Sequence, residues 1–158
     1  MTDDPARFGA ALRRLIDQLD SALETAYAAD GLDFRPRYTP VVRALMERGP
    51  LTIRALSKEL GVSHSATSQT VAQMVARGLV SARPGKDARE RVIAATPALN
   101  ALLPRLQRHW DGVTAATEAL DREAGGLVAA VARANEALAR LPYRERLQAV
   151  HLNDSCTS

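Results

Sequence analysis

The stretch Ser63-His64-Ser65-Ala66-Thr67-Ser68-Gln69-Thr70-Val71-Ala72-Gln73-Met74-Val75-Ala76-Arg77-Gly78-Leu79-Val80 decides how this sequence is read. Ser63 suits a helix start, because its hydroxyl can accept an orphan backbone N–H. Gly78 suits the stop. Between them Val71, Met74 and Val75 mark an inward side, which leaves His64, Ser65, Ser68, Gln69, Ala72 and Gln73 outward. None of these is acidic, and all 27 positions between Glu59 and Asp87 lack Asp and Glu. A solvated surface helix usually carries such residues for solubility and helix pairing. A helix packed on both sides would instead bury Ser and Gln side chains, each of which needs a partner. Short or hydrogen-bonding side chains without carboxylates are what a helix lying against phosphates requires. The helix N-terminus at Ser63 adds a partial positive charge where a phosphate can dock.

The neighbouring residues extend the pattern in both directions. Thr39-Pro40 predicts a helix start, with the Thr hydroxyl as cap and Pro at the first position. That helix runs to about Arg48, with Val41, Val42, Leu45 and Met46 inward, and Gly49-Pro50 ends it. Thr52 caps a short helix through Leu60, buried by Ile53, Leu56 and Leu60, and Gly61 supplies the turn. After Gly78 the period changes. Leu79–Arg83 reads as a short strand, Pro84-Gly85-Lys86-Asp87 as a turn, and Arg91–Ala94 as the returning strand. Helix, helix, glycine turn, helix, strand, basic turn, strand is the order of a winged helix-turn-helix.

Charge follows this organisation. The chain has 158 residues and a net charge of +3, but residues 1–34 are net −4, 35–91 net +7 and 92–158 neutral. A basic middle between acidic and neutral flanks points to a polyanion partner for the middle alone. Hydrophobic residues make up 46% of the chain and aromatic ones 4%, enough for a core and weighted toward helix. The single cysteine, Cys156, excludes an intrachain disulfide and a multi-cysteine zinc site. As a tail thiol without a basic neighbour it reads as incidental rather than as a redox sensor. No run approaches the roughly 20 apolar residues that span a bilayer, so no membrane association is expected and a cytoplasmic protein is. His64, His109 and His151 form no ligand spacing, and the chain shows no nucleophile elbow and no phosphate-cradling glycine loop. Neither an enzyme, a metal nor a cofactor is implied.

The flanks read as helices. Residues 5–29 place Phe8, Leu12, Leu15, Ile16, Leu19, Leu23, Ala26 and Tyr27 on one face, and residues 30–37 break the helix. Thr96-Pro97 starts a helix whose Leu99, Leu103, Leu106, Trp110, Val113, Thr117 and Leu120 form a heptad-like seam. Gly125-Gly126 interrupts it, and Leu127–Leu141 forms another amphipathic helix that Pro142 ends. Leu147–Leu152 makes a final short turn. These seams exceed what a small winged domain buries, which favours a symmetric homodimer. The expected fold class is mainly α with a small β-hairpin wing. Residues 1–34 would form an N-terminal dimerisation helix, 35–96 the DNA-binding domain, 97–152 C-terminal dimerisation helices and 153–158 a disordered tail.

Leu51–Thr96 resembles the DNA-binding domain of the MarR family of bacterial transcriptional regulators. The resemblance runs through Leu51–Ser63 and Met74-Val75-Ala76-Arg77-Gly78-Leu79-Val80 into Asp87-Ala88-Arg89, with Thr96 seven residues after that Arg. Ala88 departs from the basic residue common in family wings. The resemblance implies a repressor that binds a palindromic operator in double-stranded DNA as a homodimer. It places recognition on Ser65, Ser68, Gln69 and Gln73, with His64 beside them. Gln69 and Gln73, one turn apart, could each bond bidentately to adenine. Thr52, Arg54 and Ser63 would hold phosphates. Arg83, Lys86, Arg89 and Arg91 line the wing. Asp87 would hold Arg89 as scaffold, which leaves Lys86 or Arg91 for a minor groove. The resemblance also implies release by a small aromatic or phenolic ligand, with Arg14, Tyr38, Arg43, His109 and Trp110 lining the cleft. The competing expectation is a helical protein-interaction module whose basic surface takes an acidic partner protein.

Overall fold

The structure, a computed structural model, describes residues 4–85 and 90–154 (for Pro5 and 151–154, the backbone alone). A 3-10 turn at Pro5–Arg7 leads into helix α1 (Phe8–Ala29), and a second at Pro36–Tyr38 leads into α2 (Thr39–Arg48). Strand β1 (Leu51–Thr52), α3 (Ile53–Leu60), α4 (His64–Ala76), β2 (Val80–Pro84) and β3 (Arg91–Ala95) follow. Helices α5 (Pro97–Glu123), α6 (Leu127–Arg140) and α7 (Tyr143–Asp154) complete the chain. The fold is mainly helical with a small antiparallel sheet, as expected.

The chain divides into two units, residues 1–109 and 110–158, with the boundary inside α5. The core of the first unit is built where the sequence placed its apolar positions. Val41, Val42 and Leu45 of α2, Leu56 of α3, Val71 and Met74 of α4, Ile93 of β3, and Leu99 and Leu106 of α5 are all buried. The segment between α1 and α2 contributes as well. Leu32 and Phe34 are buried, and Tyr27, Phe34 and Tyr38 meet edge to face at centroid distances of 5.4 and 5.6 Å. What sequence marks as a break is thus an aromatic hinge packed into the core. His109 also contributes, half-buried with its ring edge against Tyr27.

Several local expectations are corrected. Thr39 is the first residue of α2 and makes no capping bond, because the preceding 3-10 turn already shapes the chain there. Met46 is 50% exposed and Val75 39%; each lies at the edge of its helix's apolar stripe. The sheet has three strands in the order β1-β3-β2, with Leu51 opposite Ile93 and Val80 opposite Ala95. Two-residue β1 has no periodicity to reveal it. Pro84 ends β2 rather than opening a turn.

In the second unit, Gly125 and Gly126 separate α5 from α6 with φ of +70° and +95°, a region that only glycine enters cheaply. The expected short final turn is the 12-residue helix α7, whose last residues are Asn153 and Asp154. Residues 155–158, including Cys156, lie outside the described residues, as do Lys86, Asp87, Ala88 and Arg89 of the wing.

Candidate nucleic-acid interface

The interface is assembled by two caps and two glycine turns. The Thr52 hydroxyl accepts from the Ala55 amide at 3.1 Å and so starts α3. Gly61, at φ +64°, reverses the chain after α3. The Ser63 hydroxyl then accepts from the Ala66 amide at 3.2 Å, opening α4. Thr67, a polar residue 1% exposed, is satisfied by donating to the Ser63 carbonyl at 3.1 Å. Gly78, at φ +69°, ends α4. The Thr96 hydroxyl sits 2.6 Å from the Gly78 carbonyl and 2.9 Å from that of Leu79, and it accepts the Leu99 amide. One side chain thus joins the exit of α4, the end of the wing and the start of α5.

Helix α4 turns Thr67, Val71 and Met74 inward. His64, Ser65, Gln69, Ala72 and Gln73 are exposed, and Ser68 is half-buried. The outward face holds no carboxylate, as its sequence requires. Two carboxylates outside α4 are held in ion pairs. Glu59 pairs with Arg48 at 3.0 Å, and Asp33 with Arg77 at 3.1 Å.

The wing carries exposed Arg83 and Arg91 near its distal end, closed by a bond from the Gly85 amide to the Glu90 carbonyl at 2.8 Å. Register separates the two arginines. Arg83 lies opposite Val92, whereas Arg91 lies opposite Pro84 and shares the face of the Ala82–Ile93 pair. That face looks onto α4. Arg91, Ile53, Ala82 and Ile93 line a cleft of about 350 Å³ together with Ser68, Val71, Ala72, Val75 and Ala76 of the helix. Arg54 is exposed on α3. Of the twelve expected DNA-binding residues, the ten described ones fall on α3, α4, the caps and the wing. Lys86 and Arg89, with the scaffold Asp87, lie outside the described residues.

A network on the other flank of α4 is absent from the sequence expectations. Arg77 Nε donates to Asp33 at 3.1 Å, and its Nη1 donates to the Tyr38 hydroxyl. The Tyr38 hydroxyl lies 3.3 Å from Gln73 Oε1. The Asp33 bond raises the Arg77 pKa above its ordinary value, so Arg77 is a fixed cation. Tyr38, proposed for a ligand cleft, has no exposed surface and its hydroxyl is engaged in this network. Of the other residues proposed for that cleft, Arg14 lines a groove whose lining is all on α1, and Arg43 is exposed on α2. His109 bonds Asp30 at 2.9 Å. Trp110, in the second unit, is buried.

Among the described residues no cluster of His, Cys, Asp or Glu could hold a metal ion, and no helix is long and apolar enough to cross a membrane.

Residues 31–90, from the aromatic hinge to the wing, match the model of the MarR family. This segment is a MarR-family domain. The family is one of DNA-binding transcriptional regulators, the activity that the element order and the acid-free helix anticipate. Solved structures agree in fold. BpsR of Bordetella bronchiseptica, whose DNA binding is regulated by 6-hydroxynicotinic acid, is 18% identical with a TM-score of 0.57, over 96% of this chain and 99% of that one. The M. tuberculosis transcriptional regulator MOSR, solved in complex with DNA, is 24% identical with a TM-score of 0.64, over 81% of this chain and 95% of that one. A variant of MarR from E. coli is 15% identical with a TM-score of 0.52, over 95% and 96%. No curated protein sequence matches the chain.

Proposed function

We propose that the protein is a sequence-specific repressor that binds a palindromic operator in double-stranded DNA as a homodimer. The observation that carries this is the outward face of α4, which is polar, free of carboxylates and flanked by the cationic wing. Helix α4 enters the major groove, where Ser65, Ser68, Gln69 and Gln73 meet base edges and His64 lies at the groove's rim. Thr52, Arg54 and Ser63 fix the register on phosphates. Arg83 and Arg91, with Lys86 and Arg89, serve the wing at the adjacent minor groove, with Asp87 as its scaffold.

Dimerisation is supported by apolar faces left bare in one chain. Phe8, Leu12, Ile16 and Leu19 of α1 are exposed, as are Val128, Val131 and Leu138 of α6 and Tyr143, Leu147 and Val150 of α7. Residues 1–34 and 97–152 accordingly form the dimerisation region. Regulation of BpsR by 6-hydroxynicotinic acid supports release of this protein by a small aromatic ligand. The acidic-protein alternative draws no support from these bare surfaces, which are apolar and lie outside the basic segment.

Selection of bound sites from random duplexes tests the proposal. The expected outcome is a two-fold symmetric motif with half-sites about one helical turn apart. Failure to enrich any motif, with binding insensitive to salt, refutes it.

A further inference from the structure

The Tyr38–Arg77 network does more than brace the end of α4. An arginine side chain has N–H donors and no acceptor, so at the Arg77–Tyr38 contact the phenol oxygen is the acceptor. The hydroxyl proton is then directed to Gln73, 3.3 Å away, where it requires an oxygen. This favours the amide with Oε1 toward Tyr38, because with Nε2 there the buried hydroxyl proton would lose its acceptor. Tyr38 has no exposed surface, whereas Gln73 is exposed. The carbonyl therefore points back into the domain and the NH2 group points out.

We infer that Tyr38 and Arg77 set the base that Gln73 reads, by committing its carbonyl and leaving only donors for DNA. Reading adenine bidentately needs Oε1 and Nε2 side by side on one base edge. With Oε1 held by Tyr38 only the donor half remains. Guanine, which presents N7 and O6 together as acceptors, is the base that satisfies it. The adenine expectation is thereby replaced at Gln73 and kept at Gln69. Tyr38 and Arg77 are positioning residues that touch no base. The inference rests on α4 contacting DNA as proposed above.

The experiment is site selection from random duplexes with full-length wild type, Gln73→Ala, Tyr38→Phe and Arg77→Met, with folding checked by circular dichroism. Gln73→Ala identifies the position that Gln73 reads, the one at which preference vanishes. The wild type is expected to select a G·C pair there by about fivefold or more. Tyr38→Phe, which keeps the buried ring, frees the amide to turn over. Preference at that one position then shrinks to within about twofold or moves to A·T, while the others hold. Arg77→Met removes the donor that orients the hydroxyl and gives the same local relaxation, should Tyr38→Phe fail to fold. Three results overturn the inference while leaving the regulator reading intact: an A·T pair selected by wild type at that position, preference there unchanged in the folded variants, or no position altered by Gln73→Ala. A wild type that selects no motif overturns both.

Discussion

Replacing Arg91 by Ala tests the cationic half of the proposed interface quantitatively. Duplex binding that neutralises Z phosphates falls with salt at a log–log slope of about −0.9Z. Arg54, Arg83 and Arg91 are the exposed arginines placed on the described part of the face. Arg48 and Arg77 are set aside because Glu59 and Asp33 hold them at 3.0 and 3.1 Å. Three cations per domain, doubled in a dimer, predict a slope near −5, or about a thousandfold loss of affinity between roughly 50 and 200 mM salt. Lys86 and Arg89 can only steepen it. Arg91→Ala removes one contact per domain, so the slope should become shallower by about 2, equally on operator and scrambled duplex. Arg91 is exposed, so the fold should be unaffected within about 0.5 kcal/mol. Fluorescence anisotropy across a salt series measures both slopes. A wild-type slope shallower than about −2, or an unchanged slope in the variant, refutes the reasoning.

Further outcomes follow from packing. Leu56 has no exposed surface, so Leu56→Ala should cost about 2–5 kcal/mol in urea unfolding. Ser63→Ala loses the bond to the Ala66 amide and should cost about 1 kcal/mol by the same assay, with weaker DNA binding in addition. Ile16 is 56% exposed in one chain. Ile16→Glu should therefore leave a folded chain that sediments as a monomer and binds operator DNA poorly; a variant that stays dimeric removes α1 from the proposed interface.

The DNA-binding segment was legible because its signals are local. Ser63, Thr52, Gly61 and Gly78 each perform a cap or turn that depends on a single residue type, and the missing acids of α4 are a count. What escaped depends on distant partners. Strand β1 is only two residues long and becomes a strand through β3. Thr39 fits a cap by composition, but the 3-10 turn runs straight into α2 and makes Thr39 its first residue. The resemblance places Tyr38 in a ligand cleft, and nothing near it in the sequence marks its burial. Its partner Arg77 lies 39 positions away, and Asp33 lies 44 from Arg77. Gln73 reads as a free amide because its partner Tyr38 lies 35 positions away. The apolar faces of α1, α6 and α7 were legible as stripes, but a stripe does not name its partner.

The central claim is that the outward side chains of α4 read base sequence. The direct measurement is the ratio of affinities for the selected operator and a scrambled duplex, in wild type and in a variant carrying Ser68→Ala, Gln69→Ala and Gln73→Ala together. The wild type should discriminate by about a thousandfold or more, and the triple variant should bind both duplexes within about tenfold of each other while still binding them. A folded triple variant that keeps the wild-type ratio contradicts the account.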